Sequence, residues 1–407
     1  MLKKVRNSNA RENKELWFNN KELTISLTGK DSHKAIIDSS QGSFSIGVKG
    51  RTNGHIDAWV NENDVINWDA FNEFYTPYCY YECKDRYPFG DWPRFLIYYG
   101  NDTGFINWSI KRVIEDFYWF PTKNMDLDLT EANIYRLHIG IQDNKMKLTL
   151  GKNIYWLQLE GNLYNYKIKK CLKVTRLQFS PAYDEKVNSY ILPEFKELKT
   201  ATAVEINLSP LNQPFDCKSL LQFPNLKELY LIGHVINVEI LKDFKNLEKI
   251  GIWDSPNLKG MPNLNTWKNL KEFIAINIDE LAGRKFKEEI KILKKEREFK
   301  FVSISKLRDP LWFETNYGIP FSEWESKNEK KATSAYKICL KNIKKATTEE
   351  EIKNSLINFI EKINRLDNIE TIERDDIYTA ISIIMKNSPL KIETKKWESW
   401  FEQVREF

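Results

Sequence analysis

Four histidines, five cysteines and one dense acidic segment are the residues whose chemistry could drive a reaction or hold an ion. His33, His55, His138 and His234 are scattered. They form neither an HExxH nor an H-x3-H pair, the spacings that bring two imidazoles onto one metal. They read as surface or loop histidines. Cys79 and Cys83 are spaced to share one face of a helix, but no third thiol or histidine lies near them, and Cys171, Cys217 and Cys339 stand apart. An odd, dispersed set of thiols is neither a disulfide framework nor a zinc pattern, so these read as structural cysteines. The segment Glu370-Thr-Ile-Glu373-Arg-Asp375-Asp376 has the carboxylate density that general acid–base catalysis uses. The same carboxylates would complement the dipole of a helix beginning at Thr371, and that reading is preferred. Glycine-rich phosphate loops, a GxSxG elbow and the kinase motifs do not occur. The sequence predicts no catalytic residue, no metal and no cofactor.

Charge and composition narrow the class further. The net charge of +5 is the remainder of 62 basic and 57 acidic residues. Lys and Glu alternate along most segments, which is the pattern of solvated surface, whereas nucleic-acid binders gather basic charge on one face. The densest basic stretch, Arg284 to Lys300, also carries Phe286, Ile290 and Leu293 at helical spacing and reads as an outer helix with a solvated basic face. The aromatic runs Phe95 to Tyr99 and Trp108 to Arg112 have little basic charge beside them, so nucleic acid is not expected as a partner. Met1 to Glu15 is charged, with no apolar run of signal-peptide type, and no stretch approaches eighteen apolar residues. The expectation is a cytoplasmic protein with no membrane span. At 407 residues, two or three domains are expected.

The elements that would position any site follow from one phrase, apolar-x-x-apolar-x-apolar. It reads Ile134–Leu137–Ile139, Ile154–Leu157–Leu159, Val174–Leu177–Phe179, Ala203–Ile206–Leu208, Leu226–Leu229–Leu231, Leu247–Ile250–Ile252, Leu270–Phe273–Ala275 and Phe299–Val302–Ile304. Recurrence at 20 to 29 residues is the sign of stacked units that cannot bury their apolar face alone. Between early units, Ile139 to Leu150 looks like strand, turn, strand, so a β-meander and a stack of units both remain open there. Later units hold helical intervals, Val238 to Phe244 and Glu280 to Lys295.

Around these units the chain divides into four. Residues 1–125 form an aromatic-rich α+β region with short strands such as Leu23–Ile25–Leu27 and Phe44–Ile46–Val48, and residues 130–305 hold the repeats. Residues 306–328 are a connector whose Pro, Gly and aromatics imply docking, and residues 329–407 form a helical bundle. In the bundle Thr348-Glu-Glu-Glu351 is a capping box that opens a helix with the stripe Ile352, Leu356, Phe359, Ile360 and Ile363.

The units Phe223-Pro-Asn-Leu-Lys-Glu-Leu-Tyr-Leu231, Phe244-Lys-Asn-Leu-Glu-Lys-Ile-Gly-Ile252 and Trp267-Lys-Asn-Leu-Lys-Glu-Phe273 resemble leucine-rich repeats. The likeness is clear over 220–278 and extends in weaker form over 134–304. The asparagine of the family pattern is present as Asn162, and that slot otherwise holds Gln142, Ala182, Leu211, His234, Ser255 and Ile278. The resemblance implies an α/β fold: a short, irregular leucine-rich-repeat solenoid with an amino-terminal α+β cap region and a carboxy-terminal helical bundle. The wider arrangement resembles irregular bacterial leucine-rich-repeat proteins, some associated with toxin-immunity or defence loci. It implies a protein partner bound on the face carrying Arg136, His138, Trp156, Gln158, Arg176, Gln178, Glu205, Asn207, Glu228, Tyr230, Lys249, Trp253, Glu272 and Ile274. Trp156, Tyr230 and Trp253 are expected there either as exposed aromatics flanked by charge or as packing aromatics covered by the amino-terminal region or the connector. The leading expectation is non-enzymatic protein recognition. An enzyme with its site in residues 1–125, or an intracellular scaffold, are the alternatives.

Overall fold

The computed structural model describes residues 2–6, 15–19, 23–29, 32–37, 43–52, 56–73, 95–111, 113–184, 187–208, 211, 213–324, 326–367, 369 and 371–406. They fall into two compact units, Met1–Arg308 and Asp309–Phe407. His55, Cys79, Cys83, Tyr80, Tyr81 and Trp92 lie outside the described residues.

The first unit opens with two antiparallel pairs, β1 (Leu2–Arg6) with β2 (Glu15–Asn19) and β3 (Leu23–Ser26) with β4 (Lys34–Ile37). There follow β5 (Ser43–Val48), β6 (Ala58–Val60), β7 (Phe95–Tyr98), helix α1 (Gly104–Lys111) and β8 (Ile114–Trp119). Next come β9 (Met125–Leu129), β10 (Ile134–Ile141), β11 (Met146–Leu150), β12 (Trp156–Gly161), β13 (Tyr166–Cys171) and β14 (Arg176–Pro181). The unit continues through β15 (Ala203–Asn207), β16 (Phe215–Asp216), β17 (Glu228–Ile232), β18 (Val235–Ile236) and β19 (Lys249–Ser255). It ends with β20 (Glu272–Asp279), helix α2 (Glu280–Leu293) and β21 (Phe301–Arg308).

Twelve of these strands make one sheet in the order β6-β5-β7-β8-β10-β12-β14-β15-β17-β19-β20-β21, and every neighbouring pair is parallel. From β8 onward each strand pairs with the sheet strand that precedes it in the chain, whereas β7 pairs with β5 and leaves β6 at the edge. Parallel neighbours in register stack like residues in rows. Leu137, Leu157, Leu177, Val204, Leu229, Ile250 and Phe273 form one buried row, and Ile139, Leu159, Phe179, Ile206, Leu231, Ile252 and Ala275 form the next. Because side chains alternate with period two, the residues between them share the opposite face.

The buried rows are covered by a second layer whose form changes along the chain. β9, β11 and β13 form a parallel three-stranded sheet that buries Leu129, Met146, Leu148, Leu150, Tyr166 and Ile168. Farther on the covering elements are 3-10 turns, Cys217–Gln222, Val238–Asp243 and Leu264–Thr266, and finally α2. The 21-residue interval from Leu226 to Leu247 already holds the 3-10 turn Val238–Asp243, and the 29-residue interval from Leu270 to Phe299 holds the full helix α2. The aromatic that follows each turn, Phe223, Phe244 or Trp267, is buried behind the next strand. On α2 the stripe Phe286, Ile290 and Leu293 is buried as its spacing predicts.

Three sequence expectations change. Ile139 to Leu150 is no hairpin: β10 and β11 lie in different sheets, and each pairs parallel with counterparts in neighbouring units. The fourth phrase is displaced by two residues. Val204 and Ile206 align with Leu229 and Leu231, so the fully buried Ala201 stands in the first apolar position, and Ala203 lies beside Arg176 and Glu228. A two-residue shift preserves parity, so Glu205 and Asn207 stay on their expected face. Residue 125 is not a structural break either, since β5 to β8 belong to the same sheet. Ile114–Phe117–Trp119 carries the same phrase as its neighbours, 20 residues before Ile134.

Several unlike side chains hydrogen-bond the carbonyls of neighbouring units. Asn144 donates to Lys123 O at 3.0 Å, Asn165 to Gln142 O at 3.0 Å, and Gln213 to Asp184 O at 2.7 Å. Arg297 reaches Trp267 O and Lys268 O, both at 2.7 Å. Each donates to a turn carbonyl, and two of these, Asp184 O and Trp267 O, also accept from the backbone N–H groups of Val187 and Leu270. In the last three strands Asp254, Asn277 and Lys306 form an aligned column with positive φ of 53°, 57° and 51°. Asp and Asn tolerate that conformation by local hydrogen bonding, and here Asn277 donates to Asp254 and accepts from Arg308 Nε at 2.8 Å.

The second unit contains α3 (Pro310–Thr315), α4 (Ser326–Ile343), α5 (Glu349–Ile363), α6 (Thr371–Lys386) and α7 (Thr394–Val404). The capping box Thr348/Glu351 is formed, and the stripe it introduces is buried. The connector aromatics dock into this helical core: the Phe321 ring lies 4.8 Å from Trp324, 6.0 Å from Tyr336 and 6.3 Å from Phe359. Trp324 Nε1 donates to Asp376 at 2.9 Å, which gives one member of the acidic segment a structural role.

Leu229→Ala removes a fully buried side chain from the middle of the sheet. The expected cost is about 2–5 kcal/mol, measured by urea denaturation. A loss under 1 kcal/mol would show that this row does not form the core.

Candidate contact face

The face opposite the buried rows is built from the residues that alternate with them. All fourteen predicted site residues lie on it, and every one is half-buried. One row runs Asp116, Arg136, Trp156, Arg176, Ala203, Glu228, Lys249, Glu272, and a second runs Tyr118, His138, Gln158, Gln178, Glu205, Tyr230, Gly251, Ile274. Trp253 and Asn207 belong to a third row toward the carboxyl ends of the strands, where Trp253 pairs with Ile232 and Ile276 and Asn207 with Ile232.

Charges in the first row join across strands, and the two successive cations, Arg136 and Arg176, are separated by Trp156. Arg136 pairs with Asp116 and stacks on the Trp156 ring at 5.1 Å, and Arg176 covers the same ring at 4.5 Å. Arg176 also donates to Glu228 at 3.0 Å, lies 3.7 Å from Glu205 and stands over Tyr230 at 5.1 Å. Lys249 continues the chain to Glu228 at 3.2 Å and Glu272 at 3.7 Å. Burial alone would lower the Lys249 pKa, but Glu228 and then Tyr230 and Glu272 more than offset it and raise it. At Glu205 burial dominates and raises the carboxyl pKa, with Arg176 pulling it partly back.

The second row is built from softer contacts. Gln158 donates to Gln178, and His138 contacts Glu160 at 2.8 Å while its ring lies 4.9 Å from Tyr118. A carboxylate only accepts, so His138 Nε2 carries the proton and Nδ1 is left without a partner. Trp156 Nε1 and Arg176 Nε are likewise buried without hydrogen-bond partners.

The aromatics are packed against their sheet neighbours, not exposed. Trp156 is enclosed between two guanidinium groups, and Tyr230 and Trp253 lean on each other with ring centroids 6.1 Å apart. Gly251 makes that contact possible. A Cβ there would meet Trp253 at 2.3 Å and Tyr230 at 2.7 Å, so the missing side chain leaves the space both rings fill.

Sequence reasoning missed Asp116, Tyr118 and Glu160. The phrase at Ile114–Phe117–Trp119 would have placed the first two, and Glu160 follows Leu159 at the next alternate position. His33 and His234 stand apart from this face: His33 contacts Thr28 at 2.6 Å, and His234 contacts Leu211 O at 3.1 Å. No group of His, Cys, Asp and Glu fit to hold a metal occurs among the described residues. No helix among them is long and apolar enough to cross a membrane. The chain matches no protein-family model, no curated protein and no solved structure.

The raised pKa of Glu205 has a definite sign. The folded protein holds this proton more tightly than the unfolded chain does, so stability falls as pH rises from the ordinary value of 4.5 through the folded value. Glu205→Gln removes that part of the slope. Urea midpoints between pH 4 and 7 are expected to show the variant gaining on the parent as pH rises, and a difference that does not change with pH would refute this account.

Proposed function

We propose that the first unit is an irregular leucine-rich-repeat solenoid whose half-buried face binds a protein partner, without catalysing a reaction. The solenoid reading is supported by parallel, in-register pairing of successive phrases, each with its own covering segment. The binding reading rests on one observation: a continuous polar and aromatic network across β8 to β20 that holds its side chains in fixed positions. Ordering long side chains before contact reduces the entropy lost on association. Tyr, Trp and Arg, the residue types enriched at interface hot spots, sit at its centre.

The network has five carboxylates (Asp116, Glu160, Glu205, Glu228, Glu272) and three cations (Arg136, Arg176, Lys249). The excess of negative charge favours a partner with a basic contact surface and disfavours nucleic acid. In the immunity or defence role that the resemblance suggests, this face would cover the active surface of a toxin.

Affinity capture from native cells, with the full chain as bait, is expected to recover a stoichiometric protein partner. Tyr230→Ala and Trp253→Ala should each weaken that complex at least tenfold, about 1.4 kcal/mol. Gly251→Ala should do the same by displacing both rings while leaving every charge in place. Recovery of no partner, or a partner whose binding ignores all three changes, would defeat the proposal.

A further inference from the structure

A cleft of about 910 Å³ opens at the carboxyl ends of β10, β12, β14 and β15, within the first unit. Its volume is that of a small-ligand site, and the carboxyl ends of parallel strands are where such sites commonly form. Tyr99 and Phe120 stand on one side, stacked at 4.7 Å and 14°. Phe120 reaches across the sheet because Gly140 leaves space for it, and a Cβ there would lie 2.5 Å from the ring. The Phe120 ring is 5.4 Å from His138, which holds one oxygen of Glu160.

Two carboxylates, Glu160 and Asp143, and one cation, Arg51, line this space, so its charge is negative on balance. Arg51 lines the cleft, but its guanidinium is committed to Phe120 O, to Tyr99 O at 3.4 Å and to Glu62 at 3.5 Å. The second oxygen of Glu160 has no partner among the described residues, and its side chain is 46% exposed. Asp143 is an exposed carboxylate on the same lining. Thr122, Gln142 and Asn207 add neutral acceptors.

We propose that this cleft binds a guanidinium or ammonium group, carried by a ligand between amino-acid and short-peptide size, with Glu160 as its counter-ion and the Tyr99/Phe120 stack as its aromatic wall. A carboxylate beside an aromatic pair suits a flat or compact cation, through a charge-assisted hydrogen bond and contact with the ring system. The cleft adjoins the partner-binding face and shares Glu160 and Asn207 with it, but small-ligand titration reads the cleft without any protein partner, so either reading can fail while the other stands.

Calorimetric titration of the full chain with N-acetyl-arginine amide, agmatine, an arginine-containing tripeptide and N-acetyl-citrulline amide tests it. Citrulline keeps the shape of arginine without its charge, and at least tenfold weaker binding is expected for it. Glu160→Gln should cost at least tenfold in arginine affinity and Tyr99→Ala about threefold to tenfold. Asp126→Asn, in the three-stranded sheet, should change nothing. Equal binding of agmatine and the tripeptide identifies a small free cation as sufficient, and binding of the peptide-like probes alone identifies an arginine side chain of a peptide as the ligand; either outcome supports the proposal. Absence of saturable binding by every cationic probe, equal affinity for the citrulline analogue, or an unchanged Glu160→Gln would overturn the proposal.

Discussion

Parallel pairing in register is the constraint on which the rest of the first unit depends. Strands about 4.8 Å apart place corresponding side chains directly beside one another, so every position becomes part of a row. For apolar residues this is cooperative, because Leu beside Leu fills a continuous core. For charged residues it is restrictive. Like charges at that spacing repel, and ions screened from water need partners. The row Asp116, Arg136, Trp156, Arg176, Ala203, Glu228, Lys249, Glu272 meets both requirements. Where two cations come close, at Arg136 and Arg176, an indole separates them and supplies a ring face to each.

Much of this was legible from residue types alone. The phrase marked the buried face of β10, β12, β14, β17, β19 and β20, because period two ties the face to the parity of the register, and its fuller apolar spacing selected the position among registers of equal parity. At β15 that freedom mattered. Ala201 and Ala203 are equally small, and Leu208 imitated the third apolar position, so the frame shifted by two while the face was preserved. The covering sheet was harder to see. Met146–Leu148–Leu150 has the alternation of any amphipathic strand, and whether it folds back on β10 or turns into another sheet depends on partners 20 residues away.

The exposure of the aromatics was not legible for a related reason. Sequence gives the side on which Trp156, Tyr230 and Trp253 lie, but their burial depends on neighbours in adjacent strands, far away along the chain. Gly140 and Gly251 show the same effect: an ordinary strand glycine in the sequence becomes, in the sheet, the space for a ring from another strand. In the second unit the stripe of α5 and its capping box lie within one helix and its start, and both were legible directly.

The contrast between the two faces bears on how such a chain can lengthen. A duplicated unit would carry its apolar phrase intact into the buried rows, where a copy beside its original is an ideal neighbour. The same duplication would set the outer residues beside their own copies, Arg against Arg and Glu against Glu. Growth by copying is therefore free on the inner side and must be followed by divergence on the outer side. Ancestry would then persist in the leucines, while the residues between them are rewritten with each added strand.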